Sequence, residues 1–316
     1  MLRATAIREL TVDAPRGPHG GRFIAAGSGL VRAGEHLYVI ADDEREIAVF
    51  PAEGDEPGHL RRLLPGELPA DPAERKRVKP DFEALVVLPA QDDDASAALL
   101  AFESGSRKSR RGGVIWGLDE SGALVGDPRR LDLAPLYSAL DIPDLNIEGA
   151  AVAGERLLLF QRGNGRGAVN AVIALSLELA MPDLARGRLS AGAVVAERRY
   201  DLGEVNGVRL AFTDAAALPD GRIVYTAVAE GGDDTYHDGG CAGAGVGIID
   251  EQGNKQRWEP LDPPAKVEGV EARLDGDGIE LLMVADADDP GSPSPLLSAR
   301  LPASRDVRHT GELGTR

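Results

Sequence analysis

The stretch Asp144-Leu-Asn-Ile-Glu-Gly-Ala-Ala-Val152 indicates the fold, because its pattern of an acid followed by small and apolar residues recurs along the chain. Related stretches are Gly27-Ser-Gly-Leu-Val31, which has no acid, Lys79-Pro-Asp-Phe-Glu-Ala-Leu-Val-Val87, Phe212-Thr-Asp-Ala-Ala-Ala217 and Lys266-Val-Glu-Gly-Val270. The five copies lie about 55 to 65 residues apart, near the long end of the range for β-propeller blades. They therefore mark the phase of a repeat.

Each repeat unit contains short runs of Val, Ile and Leu separated by Gly, Pro and Asp, a composition typical of strands joined by hairpins. Apolar residues at helical spacing over a dozen positions are rare, which disfavours a helical solenoid. A unit that cannot bury its own apolar faces must stack on its neighbours. The sequence therefore predicts an all-β protein, a β-propeller of five blades.

The two ends of the chain are expected to meet in the last blade. Residues 3–12 have the alternation of a strand, whereas the last unit contains only three strands, at 267–274, 279–285 and 295–301. Closing the ring with the N-terminal strand removes free sheet edges. We expect one propeller domain over residues 1–316, with residues 303–316 as a flexible tail. Residues 65–80 are predicted to form an exposed loop, 134–140 a short helical turn and 169–177 a strand.

The composition argues against several classes of partner. The net charge of −17 disfavours binding to nucleic-acid phosphates, and an aromatic content of 4% provides few stacking surfaces for bases. No apolar run approaches the length of a membrane span, and the N-terminus has no signal-peptide pattern. Cys241 is the only cysteine, so no intramolecular disulfide is possible. We expect a cytoplasmic protein that binds neither nucleic acid nor membrane.

Acids recur in four of the five copies, at Glu83, Glu148, Asp214 and Glu268. The innermost strand of each blade lines the channel of a propeller, so these carboxylates are predicted to surround one axis. Like charges at short distance disfavour ionisation unless a cation lies among them. The four acids are therefore candidate ligands for Ca²⁺ or Mg²⁺, which prefer oxygen donors, or for a bound small molecule. The alternative is pairing with backbone N–H groups or with Lys79, Lys266 and Arg162.

A second set of polar residues ends the second strand of each unit. They are Asp42, Glu103, Arg162, Glu230 and Asp286, and most are interpreted as residues that end a strand where a loop begins. Arg162 and Arg166 differ because they lie in the Gly-rich loop 161–167, where two guanidinium groups suit the capture of a carboxylate or phosphate. The Gly spacing of this loop does not fit a dinucleotide-binding fingerprint, so no nucleotide cofactor is expected.

The long connections after the second strands, 104–112, 162–167 and 231–243, are expected on one face. The segment 106–111 is basic and predicted to be an exposed loop, with an anchor for an anionic ligand as the alternative. The segment 231–240 concentrates carboxylates, a Tyr and His237, which is a candidate general acid or base near neutral pH. A flexible surface loop is the alternative for this last segment.

The Glu-Gly-Ala and Glu-Ala-Leu motifs at Glu83, Glu148 and Glu268 resemble the pattern of bacterial β-propellers of the phytase-like and esterase-like group and of related uncharacterised propeller proteins. In metal-dependent propeller lactonases and phytases, the corresponding region supplies acidic ligands to calcium. The resemblance thus implies calcium at these acids. The chain departs from that pattern at Ser28, which replaces an acid, and has only Asn146 as a counterpart of the lactonase asparagines.

Two functions remain open at this point. One is a metal-assisted hydrolase of a small ester or phosphoester, with Arg162 and His237 in catalytic roles. The other is a propeller without catalytic activity that binds a small molecule or a protein on its loop face. An enzyme needs a positioned base and an electrophilic group, whereas a binding protein needs only shape and a few polar anchors.

Overall fold

The fold was analysed in a computed structural model, which describes residues 1–15, 21–90, 96–165, 167–231, 241–287, 289 and 291–302, without the side chain of Pro72. Its sheets form a five-bladed β-propeller, which confirms the predicted fold class. Two N-terminal strands precede the blades, β1 (Leu2–Arg3) and β2 (Thr5–Glu9). Blade 1 contains β3 (Gly27–Ala33), β4 (His36–Ala41), β5 (Glu46–Pro51) and β6 (His59–Arg62).

The following two blades have the same antiparallel order. Blade 2 contains β7 (Phe82–Leu88), β8 (Ala98–Glu103), β9 (Gly112–Leu118) and β10 (Leu124–Asp132). Blade 3 contains β11 (Ile147–Ala153), β12 (Arg156–Gln161), β13 (Asn170–Ser176) and β14 (Val194–Tyr200). Strand β13 confirms that this segment is extended rather than helical.

A small hairpin of β15 (Glu204–Val205) and β16 (Val208–Arg209) leads into blade 4. Blade 4 contains β17 (Ala211–Ala217), β18 (Ile223–Glu230), β19 (Cys241–Ile249) and β20 (Lys255–Asp262). Blade 5 contains β21 (Val267–Asp275), β22 (Gly278–Ala285) and β23 (Pro295–Pro302), with β2 as its fourth strand.

The N-terminal segment closes the ring, as predicted, but it does so in more than one place. Strand β2 pairs antiparallel with β23 of blade 5, whereas β1 pairs parallel with β20 of blade 4. Farther along, Val12 forms a parallel bridge with Gly58 beside blade 1. The segment is therefore two short strands and a bridge, not one continuous strand, and it connects three blades.

Helices occur at three places outside the blades. Helix α1 (Pro72–Val78) lies in the segment that was predicted to be an exposed loop, and α2 (Ala134–Tyr137) confirms the predicted helical turn. Helix α3 (Leu177–Ala185) was not predicted. Helix α1 forms because Asp71 caps it, with its Oδ1 accepting a hydrogen bond from the backbone N–H of Glu74 at 2.8 Å. No helix among the described residues is long and apolar enough to cross a membrane.

The core lies between the blades. Within the described residues, five clusters of buried apolar side chains each join two neighbouring blades. The inner strands approach one another so closely that small residues are required on them. A Cβ atom on Gly149 would lie 2.8 Å from the Cα atom of Asp214 in the next blade. This close approach narrows the channel along the inner strands.

Candidate functional site

The site lies where the inner strands begin and the second strands end. These positions share one end of the propeller because the first two strands of every blade are antiparallel. At this end a cavity of about 370 Å³ opens on the axis. Polar side chains from the inner strands, from the ends of the second strands and from the loops beyond them form its wall.

A β-bulge at the start of each inner strand determines which side chains face this end. The register shifts at Ser28, Glu83, Glu148, Thr213 and Glu268. The repeat therefore has Thr213, and not Asp214, at the position of the three glutamates. Because side chains alternate along a strand, a difference of one residue turns Asp214 away from them.

Asp214 is buried, with 1% of its surface exposed, and is not part of the cavity wall. Its Oδ2 accepts a hydrogen bond from the backbone N–H of Val270 at 2.8 Å. Thr213, at the position of the glutamates, shares a hydrogen bond of 2.9 Å with Thr226. The prediction that Asp214 belongs to the ring of acids therefore differs from the structure.

One side of the cavity is formed by a group that we name the Lys79 cluster: Lys79, Asp42, Asp81, Glu83 and Arg110. The ammonium of Lys79 contacts Asp42 and lies 3.1 Å from Asp81 Oδ1. Arg110 donates to Asp81 Oδ2 at 2.9 Å. Arg110 is only 8% exposed, so the basic segment 106–111 is not simply an exposed loop.

The other side is formed by the Arg162 cluster: Arg162, Lys266, Glu148, Glu230, Glu268 and Asp286. Arg162 donates through Nη1 to Glu148 at 3.1 Å and through Nη2 to Glu230 at 2.5 Å. Lys266 Nζ lies 3.2 Å from Glu230 Oε1 and 3.0 Å from Asp286 Oδ2. Both terminal nitrogens of Arg162 thus donate to acids of the protein.

The carboxylates of the site differ in their protonation equilibria. Burial raises the pKa of Glu83 well above its usual value, and the nearby Glu148 adds to the increase. Burial likewise raises the pKa of Glu268, an effect that Arg162 only partly offsets. In contrast, although burial opposes it, the ammonium of Lys79 and the guanidinium of Arg110 hold the pKa of Asp81 below its usual value. Carboxyl groups of one cavity thus differ in how readily they ionise.

Most of the site residues predicted from the sequence come together here. The cavity wall contains Glu83, Glu148, Glu268, Lys79, Lys266 and Arg162. Arg166 and His237 lie outside the described residues. The sequence did not predict that Asp42, Asp81, Arg110, Glu230 and Asp286 belong to the site, whereas Asn146, the counterpart of the lactonase asparagines, does lie in the cavity wall. Three of the missed residues were recognised as strand-end residues, and their recurrence at the same end as the inner-strand glutamates was the available signal.

The four predicted metal ligands do not form one coordination set. Arg162 pairs with Glu148, both Arg162 and Lys266 lie near Glu268, and Asp214 is elsewhere. Among the described residues, the group whose possible ligand atoms converge within 4.8 Å is instead Asp42, Asp81 and Glu83. The Lys79 ammonium already contacts the first two of these. A metal ion at the four predicted acids therefore does not fit this arrangement.

Comparison with known proteins places the chain in a family. A family model described as "Family of unknown function (DUF6929)" matches residues 23–301. The chain belongs to this DUF6929 family. No curated protein sequence matches it. The membership leaves the predicted resemblance to phytase-like and esterase-like propellers untested.

Solved structures with similar folds share little sequence with this DUF6929 member. The catalytic domain of a GH62 α-L-arabinofuranosidase from Coprinopsis cinerea has a TM-score of 0.49 at 11% identity, over 93% of this chain and 97% of that one. The α-L-arabinofuranosidase Arb93A from Fusarium graminearum has a TM-score of 0.44 at 9% identity, over 94% and 98%. A putative gluconolactonase has a TM-score of 0.42 at 13% identity, over 96% and 93%.

Proposed function

We propose that the protein binds a small polar molecule in the axial cavity. The observation that supports this proposal is the convergence of inner-strand, strand-end and loop side chains from several blades on one concave space of about 370 Å³. This volume lies in the range of about 300 to 1,000 Å³ that is typical of ligand sites. Titratable groups with shifted pKa values also concentrate at functional sites. A cavity of this volume suits a small molecule better than a protein surface.

The ion pairs of the two clusters support binding because they hold the wall in place. Glu148 accepts hydrogen bonds from Arg162 and from Asn146, which lies two residues before it. Asp81 accepts from Arg110 and from Ser104, the latter at 2.5 Å. Hydrogen bonds between charged groups in a buried network hold the paired side chains in one arrangement. A ligand that enters this cavity therefore meets anchors that need little reordering, which favours affinity.

Ligand-dependent thermal stability provides the test. A panel of small polar molecules of each charge class is screened for an increase in melting temperature. A bound ligand at a hundredfold excess over its Kd stabilises the folded chain by about 2.7 kcal/mol. We expect Glu148→Gln to reduce the response to a binding compound. The matched control Glu271→Gln removes a half-buried carboxyl group that is not in the cavity wall, and its response stays at the wild-type level.

Either of two results overturns this proposal. One is that no compound in the panel raises the melting temperature. The other is that the responses persist unchanged when residues of the cavity wall are replaced.

Metal-assisted hydrolysis of a small ester or phosphoester is the second candidate function. It is favoured by the carboxylates of Asp42, Asp81 and Glu83, whose oxygens lie within 4.8 Å of one another. Such oxygen ligands suit Ca²⁺ or Mg²⁺. A cation would have to take the place of the Lys79 ammonium, which contacts Asp42 and Asp81. The proposed catalytic roles of His237 and Arg162 belong to this candidate only.

The metal candidate is tested by comparing the wild type with Lys79→Met. Melting temperatures are measured with CaCl₂, MgCl₂ or chelator, and generic esters, lactones and phosphoesters are screened for hydrolysis under the same conditions. The candidate predicts that Ca²⁺ or Mg²⁺ stabilises the wild type and supports hydrolysis. If the metal stabilises Lys79→Met but not the wild type, the Lys79 ammonium takes the place of the cation. This result would exclude a metal site in the wild type.

A further inference from the structure

The charges of the cavity wall are not balanced. Its described residues include eight carboxylates and six basic side chains, or seven and five without the exposed Asp144 and Lys76, and both counts leave two negative charges in excess. The acids are Asp42, Asp81, Glu83, Asp144, Glu148, Glu230, Glu268 and Asp286, and the bases are Lys76, Lys79, Arg107, Arg110, Arg162 and Lys266. A buried charge without compensation is costly. The wall is therefore neutral only with two bound protons or with a ligand of two positive charges.

Two glutamates account for the excess. Glu268 is only 6% exposed, yet among the described residues no hydrogen bond to its carboxylate is found. Its nearest cations, Lys266 Nζ and Arg162 Nη1, lie at 3.7 and 3.9 Å, and these groups are engaged more closely by other acids. The carboxylates of Glu148 and Glu230 also face it.

Glu83 is in the same situation on the other side of the cavity. The described residues donate no hydrogen bond to its carboxylate. Lys79 is its nearby cation, but the Lys79 ammonium contacts Asp42 and Asp81. The other charged groups that act most strongly on Glu83 are the acids Glu148, Asp81 and Asp42. Glu83 and Glu268 are thus two carboxylates of one cavity that have acceptor positions available.

We infer that the ligand of this cavity is a small organic molecule with two ammonium groups, one pairing with Glu83 and the other with Glu268. The inference rests on the proposed binding function and specifies the class of molecule that is bound. Each primary ammonium group offers three hydrogen-bond donors, and charge-assisted hydrogen bonds to carboxylates are the strong ones.

The lining of the cavity favours an organic dication over the other classes of ligand. Glu268 lies outside the described group of three acids whose ligand atoms converge within 4.8 Å, so a metal ion held by Asp42, Asp81 and Glu83 would leave Glu268 without a close cation. The wall contains no aromatic side chain among its described residues, which disfavours quaternary ammonium ions that rely on cation–π contacts. An anionic ligand would add to the excess of negative charge.

Isothermal titration calorimetry with matched four-carbon probes tests the ligand class. The probes are diaminobutane, aminobutane, butanediol and succinate, with diaminoalkanes of three to six carbons to cover the span. We expect the best diamine to bind at least tenfold more tightly than aminobutane, and butanediol and succinate to give no measurable heat. Replacing a charge-assisted contact costs about tenfold or more in affinity. Glu83→Gln and Glu268→Gln should each weaken diamine binding by that factor.

Controls separate this inference from the proposed function. Glu271→Gln retains wild-type diamine affinity, and the melting temperature of each variant shows that it is folded. The proposed ligand class is overturned if butanediol or succinate binds as tightly as every diamine. It is also overturned if Glu83→Gln and Glu268→Gln both retain the wild-type affinity for diamines. In those cases a panel compound whose effect is lost in Glu148→Gln still supports the cavity as a binding site. If no diamine and no panel compound binds, both the ligand class and the proposed binding function are refuted.

Discussion

Buried carboxyl groups occur at two levels of the channel, and their surroundings differ. At the mouth, Arg162 and Lys79 each contact two or more acids. Farther along the inner strands, Asp214 and Glu271 depend on backbone N–H groups, from Val270 and Arg32 respectively. A carboxylate without a cationic partner ionises reluctantly in a buried position. The deeper acids are therefore expected to oppose folding when they ionise.

Replacing Glu271 should change the pH dependence of stability. Burial raises the pKa of Glu271 to about 7, although the Arg32 N–H partly offsets the effect. With a raised folded-state pKa, its stabilising contribution is complete below pH 4.5 and is lost as the pH rises to about 7. We expect the free energy of unfolding to fall by roughly 3 kcal/mol or less across this window because of this group. In Glu271→Gln this pH-dependent decrease in the free energy of unfolding should be absent, as measured by urea titrations between pH 4.5 and 8. An unchanged pH profile would contradict the account.

Replacing Arg162 should destabilise the protein strongly. Arg162→Met leaves Glu148, Glu230 and Glu268 without their guanidinium partner in a buried position. Breaking a buried ion pair by removing one partner costs about 3 to 5 kcal/mol. The control Arg273→Met removes an exposed pair with Glu280 and should cost about 0 to 1 kcal/mol. If urea denaturation shows equal decreases in the free energy of unfolding for the two variants, the Arg162 cluster contributes no more stability than an exposed ion pair.

At the scale of the element, the β-bulge limits what the sequence predicts. The strands and their order follow from apolar runs and turn residues, so their positions were predictable. The bulge shifts the register by one residue, and no local sequence pattern shows whether Thr213 or Asp214 occupies the bulge position. The partners of the acids were also not predictable, because Arg162 and Glu230 are distant in sequence and meet only when two blades pack. Helix α1 was missed because the prolines and charges of its segment suggested a loop.

The N-terminal segment is the element whose removal should have the largest effect. Deleting residues 1–12 removes β1 and β2 together with Leu10, which is fully buried between blades. The deletion exposes the edges of blades 4 and 5, so we expect a lower melting temperature and aggregation. For comparison, Leu10→Ala should cost about 2 to 5 kcal/mol. Ile7→Ser, at a position that is 52% exposed, should change stability little. A truncated chain that unfolds at the wild-type temperature would refute the role of this segment.

At the scale of the whole molecule, the propeller brings residues from distant parts of the sequence to one axis. The recurring stretches predicted the number of blades and placed three of the four marked acids at the channel mouth. They did not show that bases occupy the spaces between these acids, because the distances between side chains depend on the packing of the complete ring. The structure thus replaces the predicted set of four metal ligands with two clusters of ion pairs and two glutamates in excess.

The most direct measurement is the crystal structure of the protein soaked with the diaminoalkane that binds most tightly. The account predicts electron density for the ligand in the axial cavity, with one nitrogen within hydrogen-bond distance of Glu83 and the other of Glu268. Ligand density at another surface, with an empty cavity in crystals of a protein that binds the diamine in solution, would contradict it.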